Sequence, residues 1–226
     1  MQVYLCRLML HENLFFATRE VGRLYETGRY LHNYALTYAL GFVSAPYFHR
    51  EQIPRYAEQL GELNERGIYV TPARGVDLQY TLATFKYADN HYHVEMAPGR
   101  FNTPSFGRAK EIAVGSVFEF ALLSEREAVR LPRWIRLGLW RSKAEVTLTH
   151  SGELEATSAQ EQTASLPLNP LDVTGAFHVF DLISMPPSSL VDHARVVCNW
   201  WTWQANDQQT RHLPQEMKYT FPEKSV

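Results

Sequence analysis

Cysteine is scarce in this 226-residue chain: Cys6 and Cys198 are the two it carries. No disulfide framework is implied, and a reducing cytoplasm is the simplest setting. No apolar run approaches the roughly 20 residues of a membrane span, so no membrane partner is expected. The opening "MQVYLCRLMLHENLFF" lacks a basic lead followed by a clean apolar block, and no secretory signal is read there. Catalytic and phosphate-binding signatures are missing as well. The chain has no G-x-x-x-x-G-K-[ST], G-x-G-x-x-G, H-E-x-x-H, C-x-x-C or G-x-S-x-G. Lysine is also sparse, with 5 Lys against 17 Arg among the 22 basic residues.

That last imbalance leads to what is present. Arginine offers a planar fork for phosphate oxygens and a flat cation for stacking on rings. The net charge of −2 decides nothing about partners, but its distribution does. Residues 100–143 hold nine Lys or Arg against four acids, whereas residues 144–194 hold seven acids and no Lys or Arg. The basic half suits a polyanion, and the cation-free half suits protein or solvent. With 45% hydrophobic and 13% aromatic residues, the chain can bury a sizeable core.

The hydrophobic pattern predicts an α+β fold. Residues 2–10, "QVYLCRLML", are nearly continuously apolar and read as a strand buried on both faces. Residues 11–32 read as irregular. Asn33 is the predicted N-cap of a short helix closed by Gly41, and a second helix spans about 54–66, with Tyr56, Leu60 and Leu63 on one face. "IYVTP" follows as a strand. "LQYTLATFKYA" and "HYHVEMA" read as a hairpin around Asp89-Asn90, residues 98–108 as a Pro/Gly-rich loop, and "EIAVGSVFEFALL" as one long strand. "AEVTLTHSGELEAT" reads as a hairpin turning at Ser151-Gly152. "FHVFDLI" and "ARVVCNWWTW" are late strands, with Trp200, Trp201 and Trp203 read as core or interface.

Three groups of residues are candidates for binding. Arg19, Arg23 and Arg29 stand among tyrosines, Tyr30 included, in the segment leading to His32 and Asn33, where a helix N-terminus suits a phosphate; the alternative is an ordered loop with arginines paired to Glu20 and Glu26. Arg100, Phe101, Arg108 and Lys110 belong to the predicted loop, where cations and a ring suit splayed bases. The third is "RLPRWIRLGLWRSKAEV", residues 130–146. Alternation puts Arg133, Ile135 and Leu137 on one face and Trp134 and Arg136 on the other, and Gly138 lets another backbone come close. Arg133, Arg136, Arg141 and Lys143 are its phosphate candidates and Trp140 its stacking candidate. Two chemical alternatives are weaker. His91 and His93 form an H-x-H without further ligands at metal spacing, so no metal or other cofactor is expected. Lys86, Tyr92 and His93 are a possible acid–base trio for metal-independent RNA cleavage.

"LHENLFFATREVGRLYETGRYLHNYALTYALG", "WIRLGLWRSKAEV" and "LPLNPLDV" together resemble the type I-D member of the small RAMP-superfamily subunits that cap CRISPR Cascade. The resemblance runs from about residue 2 to beyond residue 200. It implies a single RAMP-type domain over 1–226: a ferredoxin-like, RRM-like antiparallel sheet with helices on one face. A thumb-like hairpin insertion is implied at about 80–110, followed by a β-rich part at about 144–226. It implies a non-catalytic subunit that holds the 5′ handle of the CRISPR RNA, caps the filament of backbone subunits and docks the large subunit, with target DNA near the protospacer-adjacent motif as a further partner. Residues 19–33, 80–110 and 136–143 match the family's RNA-facing stretches, and Asn33 or His32 is placed to read base edges. The G-rich C-terminal loop of many RAMP proteins is missing. A repeat-processing endoribonuclease and a protein–protein adaptor are the competing readings.

Overall fold

The structure, a computed structural model, describes residues 1–22, 24–43, 55–86, 106–125 and 129–221, with the backbone alone at 85, 86 and 106. The elements run β1 (Gln2–Leu10), β2 (Arg19–Val21), β3 (Leu24–Glu26), β4 (Tyr30–Leu31), α1 (Asn33–Ala39), α2 (Tyr56–Glu65), β5 (Ile68–Val70), β6 (Ala73–Asp77), β7 (Tyr80–Lys86), β8 (Phe106–Ile112) and β9 (Val117–Ser124). Then come β10 (Trp134–Leu137), β11 (Ser142–Glu153), β12 (Glu155–Thr163), β13 (Ala176–Ile183), β14 (Leu190–Gln204) and β15 (Thr210–Pro214).

The strands build three sheets. The largest has the order β10-β11-β1-β9-β6-β4, with β5 also pairing with β9, and its pairs are antiparallel. β1 is its central strand, flanked by β11 and β9. Alternation along β1 serves both faces, as its continuous apolar run requires. Val3 and Leu5 join one core with Ala121 and Leu123 of β9, Leu60 and Leu63 of α2, and Trp200 and Leu213 of the second sheet. Tyr4, Cys6, Leu8 and Leu10 join another core with Phe118, Phe120, Ile135, Leu137 and Leu36 of α1. Leu36 of α1 thus falls in a different core from Leu60 and Leu63 of α2, while Tyr34 of α1 joins the core of the α2 leucines and its ring lies 5.0 Å from that of Tyr56 on α2. The second sheet, β12-β14-β13 with β15 on β14, covers the first core, and Trp200 and Trp203 are buried in it.

Other boundaries differ from the local signals. The Ser151-Gly152 turn does not form, because β1 pairs along β11 through Gln2 opposite Glu153. The chain instead changes sheets at Leu154, between β11 and β12. The long strand at 111–123 is split: Gly115, at φ 85°, helps turn residues 113–116 between β8 and β9. Residues 11–32 are not wholly irregular, since β2, β3 and β4 lie there, each two or three residues long; β2 pairs with the adjacent β3, and β3 and β4 pair with distant chain. β7 pairs with β8, and "HYHVEMA" lies outside the described residues.

Gly138 is a point of close approach, as its position suggested. It sits at φ 69°, and a Cβ there would lie 2.5 Å from the Phe15 carbonyl oxygen and 2.7 Å from Leu14 Cδ1. Gly138→Ala therefore has to displace the chain at 14–15, and we expect a loss of about 1–3 kcal/mol in urea unfolding. An unchanged midpoint would mean that this contact is not held in solution.

Candidate nucleic-acid interface

The third sheet, β2-β3-β8-β7, gathers cations from separate parts of the chain. Arg19 pairs across from Glu26, Glu26 lies beside Lys110, and Lys110 pairs across from Leu82. Val21, Leu24, Arg108 and Thr84 form the neighbouring row in the same way. Register partners share a face. Arg19, Arg108 and Lys110 therefore stand on one face with Tyr80 and Leu82, which are 42% and 56% exposed. The Lys110 ammonium lies 4.4 Å from the centre of the Tyr80 ring and 3.9 Å from Glu26. Arg19 Nε donates to Glu26 at 2.8 Å. Arg108 is exposed and has no ion-pair partner among the described residues. It belongs to strand β8, not to the predicted loop, because its backbone is paired on both sides by β3 and β7.

The second surface is the β10–β11 hairpin at the edge of the large sheet. Ile135 and Leu137 are buried, so the inner face is apolar. Trp134 pairs with Glu145 and Arg136 with Lys143, which sets these four on the outer face. Lys143 Nζ lies 4.1 Å from the Trp134 ring centre, and the Arg133 guanidinium 5.4 Å from it. Arg133 Nε donates to Glu145 at 2.8 Å and holds that carboxyl below the usual range. Arg136 Nη1 donates to Glu12 at 3.1 Å and to the Arg141 carbonyl at 3.0 Å. Trp140 stacks on Phe15, with centroids 4.6 Å apart and planes at 27°, while 51% of the residue stays exposed. Arg133, Arg136, Arg141, Lys143, Glu12 and Glu145 sum to two positive charges.

Residues 11–16 tie the two surfaces together. Leu14 bridges to Ile112 at the end of β8, with N–H···O bonds of 2.8 and 2.9 Å. On the other side, Leu139 N donates to the Phe15 carbonyl at 2.9 Å and Ser142 Oγ donates to the Asn13 carbonyl. The cations predicted at 19, 108–110 and 133–143 thus flank one short segment, although they come from separate sheets.

The third predicted group is placed elsewhere. His32, not Asn33, is the N-cap of α1: its Nδ1 accepts from Tyr34 N at 3.2 Å. Its Nε2 contacts Ser188 Oγ at 2.9 Å. Asn33 is fully buried and donates to Asp172 at 2.8 Å, where Tyr69 also donates at 3.0 Å. Tyr30 donates to buried Asp192 at 2.9 Å, and Arg74 pairs with the same carboxylate at 3.1 Å. Burial and Asp192 push the Tyr30 hydroxyl up to about 12. These side chains form a polar seam toward residues 169–192. Neither His32 nor Asn33 presents a polar edge to solvent here, because both meet partners far along the chain. The expected phosphate site at the helix start is corrected too: α1 has seven residues and its entry is closed by His32. Arg29 is exposed at the rim, with Nη2 3.4 Å from the Gly75 carbonyl. Arg23, Arg100, Phe101, Tyr92 and His93 lie outside the described residues, as does the side chain of Lys86.

Burial lowers the His32 pKa to about 4, against about 6.5 in an unfolded chain. Between those values the unfolded state takes up the proton and the folded state does not, so stability is lost as pH falls. Asp172, raised to about 6 by burial, acts with the opposite sign. His32→Asn keeps an N-cap and shares Asp172. The stability of the wild type relative to this variant should fall by up to about 1.4 kcal/mol per pH unit from pH 6.5 to 4. A difference independent of pH would place His32 in water.

Trp134, Tyr80 and Leu82 were not among the predicted site residues. Their signal was present in the alternation of β7 and β10, but which face lay outward depended on β8 and β11. Among the described residues, no group of three or more His, Cys, Asp or Glu is placed to hold a metal ion, and no helix is long and apolar enough to cross a membrane.

The arrangement defines a mixed α/β, strand-rich protein with an exposed basic and aromatic surface. The family described as type I-D CRISPR-associated protein Cas5/Csc1 matches residues 1–222, and the chain belongs to that family. No curated protein matches the sequence. Among solved structures, a chain of the cryo-EM structure of the type III-B Cmr-β complex bound to cognate target RNA and AMPPnP is similar at 9% identity, covering 87% of this chain and 86% of that one, with a TM-score of 0.47.

Proposed function

We propose that the protein is a non-catalytic, RNA-binding subunit of a type I-D CRISPR effector that holds the 5′ handle of the CRISPR RNA. The observation that carries this reading is the junction of two basic, ring-bearing surfaces across residues 11–16. Single-stranded RNA presents phosphates to arginines and unstacked bases to rings. Membership of the type I-D family supports the same assignment.

The strand order β11-β1-β9-β5, antiparallel throughout, supports a ferredoxin-like centre in which α1 and α2 make the first crossover. β7 and β8 supply the base of a thumb-like insertion, with their last pair at Lys86 and Phe106. Residues 144–194, free of Lys and Arg, are the part we assign to the neighbouring subunits: the backbone filament and the large subunit. The cytoplasm is the setting, and target DNA near the protospacer-adjacent motif is a further partner.

Co-expression with a CRISPR array, followed by sequencing of the RNA that co-purifies, tests the reading. Repeat-derived 5′ ends bound by the complex are expected; an adaptor would retain none. Lys86→Ala and His93→Ala should leave CRISPR RNA maturation intact in cells. Loss of mature RNA in either folded variant would put an endoribonuclease in place of the binding subunit.

A further inference from the structure

We infer that the tip of the β10–β11 hairpin is an apolar wedge that splits the base stack of the bound RNA at one step, with Leu139 entering between two bases and Trp140 receiving one of them. The inference rests on the RNA-binding reading and goes further, by assigning Leu139 a role and a local RNA conformation.

Residues 138–141 form a four-residue turn, closed by Arg141 N donating to the Gly138 carbonyl at 3.2 Å. Its central residues are Leu139 and Trp140. Leu139 is 68% exposed, the highest value among the exposed large hydrophobic residues that the structure describes. A free apolar tip would ordinarily fold back or vary in position, but this one is braced. Leu139 N is bonded to the Phe15 carbonyl, the Trp140 ring is stacked on buried Phe15, and the Arg136 guanidinium holds the Arg141 carbonyl. Gly138 and Arg141 both adopt positive φ, 69° and 55°. A non-glycine residue in that region is uncommon, and such conformations concentrate at binding sites. The result is two large apolar side chains carried into water on a braced turn. One face of Trp140 is already covered by Phe15, and its exposed remainder offers a second stacking face.

The surroundings identify the occupant. Arg141 belongs to the turn, Arg136 and Lys143 pair across the two strands that lead into it, and Glu12 is engaged by Arg136 and by Lys143 N. An apolar wedge beside such cations fits a ligand whose flat apolar faces lie beside anions, which describes a nucleic-acid strand. An apolar protein surface would not call for the cations.

The test uses the assembled complex loaded with repeat-derived CRISPR RNA carrying 2-aminopurine at one handle position at a time. Wild type should show a fluorescence rise, the mark of an unstacked base, confined to one step. Leu139→Ser changes an exposed turn residue without touching the core. It should abolish that rise and weaken handle binding roughly ten-fold or more, the range for a leucine side chain that loses its burial. Its salt dependence should match wild type, because no phosphate contact is removed. If Leu139→Ser keeps wild-type affinity and the same fluorescence profile, the wedge is refuted while the RNA-binding reading stands. If the variant binds RNA normally but sheds another subunit, the tip is a protein contact and the wedge is again refuted. If wild type retains no RNA, the functional reading fails and the wedge with it.

Discussion

Leu5→Asp should abolish folding. β1 is paired on both sides, with Leu5 opposite Ala121 on β9 and opposite His150 on β11. Its side chain is 4% exposed in the core shared by Leu63, Trp200 and Leu213. Removing the apolar side chain alone costs about 2–5 kcal/mol, the range for a leucine truncated to alanine in a core. A carboxylate there adds the cost of a buried polar group without a hydrogen-bond partner, about 1–3 kcal/mol or more. The sum is comparable to the whole stability of a domain, about 5–15 kcal/mol. Circular dichroism and urea unfolding of the purified variant check the result. A soluble variant with a cooperative transition near that of wild type would mean that the two faces of β1 are not both covered in solution.

The position of Leu5 was legible because its neighbours are apolar without alternation, which only a strand covered on both faces tolerates. The two helices were legible from spacing: Leu60 and Leu63 of α2 are buried as their period requires. Gly138 was legible as a close approach, though not as a contact with Phe15. What local pattern could not supply was partnership. β2, β3 and β4 are too short to show a period; pairing with β8 and β6 defines β3 and β4, and β2 is defined by pairing with β3. His32 and Asn33 read as an exposed helix entry because Ser188 and Asp172, which bury them, lie more than a hundred residues on. Arg108 read as a loop cation because nothing local showed that β3 and β7 would flank it.

The second large effect concerns RNA affinity. Arg136→Gln with Arg141→Gln should weaken handle binding and flatten its salt dependence, with thermal stability little changed because both side chains lie on the exposed face. Each phosphate neutralised on a single strand contributes about 0.7 to the log–log slope, so the pair removes about 1.4. Losing Arg136 also leaves Glu12 facing the strand without its cation, which weakens binding further. Trp140→Ala should instead cost about 1–3 kcal/mol of binding with no change in slope, since it removes a ring and not a charge.

The central claim is that the hairpin and the β2-β3-β8-β7 sheet grip one strand together. The most direct measurement is a salt titration of handle-RNA affinity in the assembled complex. It compares wild type with Arg136→Gln/Arg141→Gln, with Arg108→Gln/Lys110→Gln, and with the quadruple variant. Each pair should lower the slope by about 1.4, and the quadruple variant by about 2.8, because both sets of cations release counterions from the same RNA. A quadruple variant that keeps the wild-type slope and affinity would contradict the claim and leave both surfaces as solvated faces.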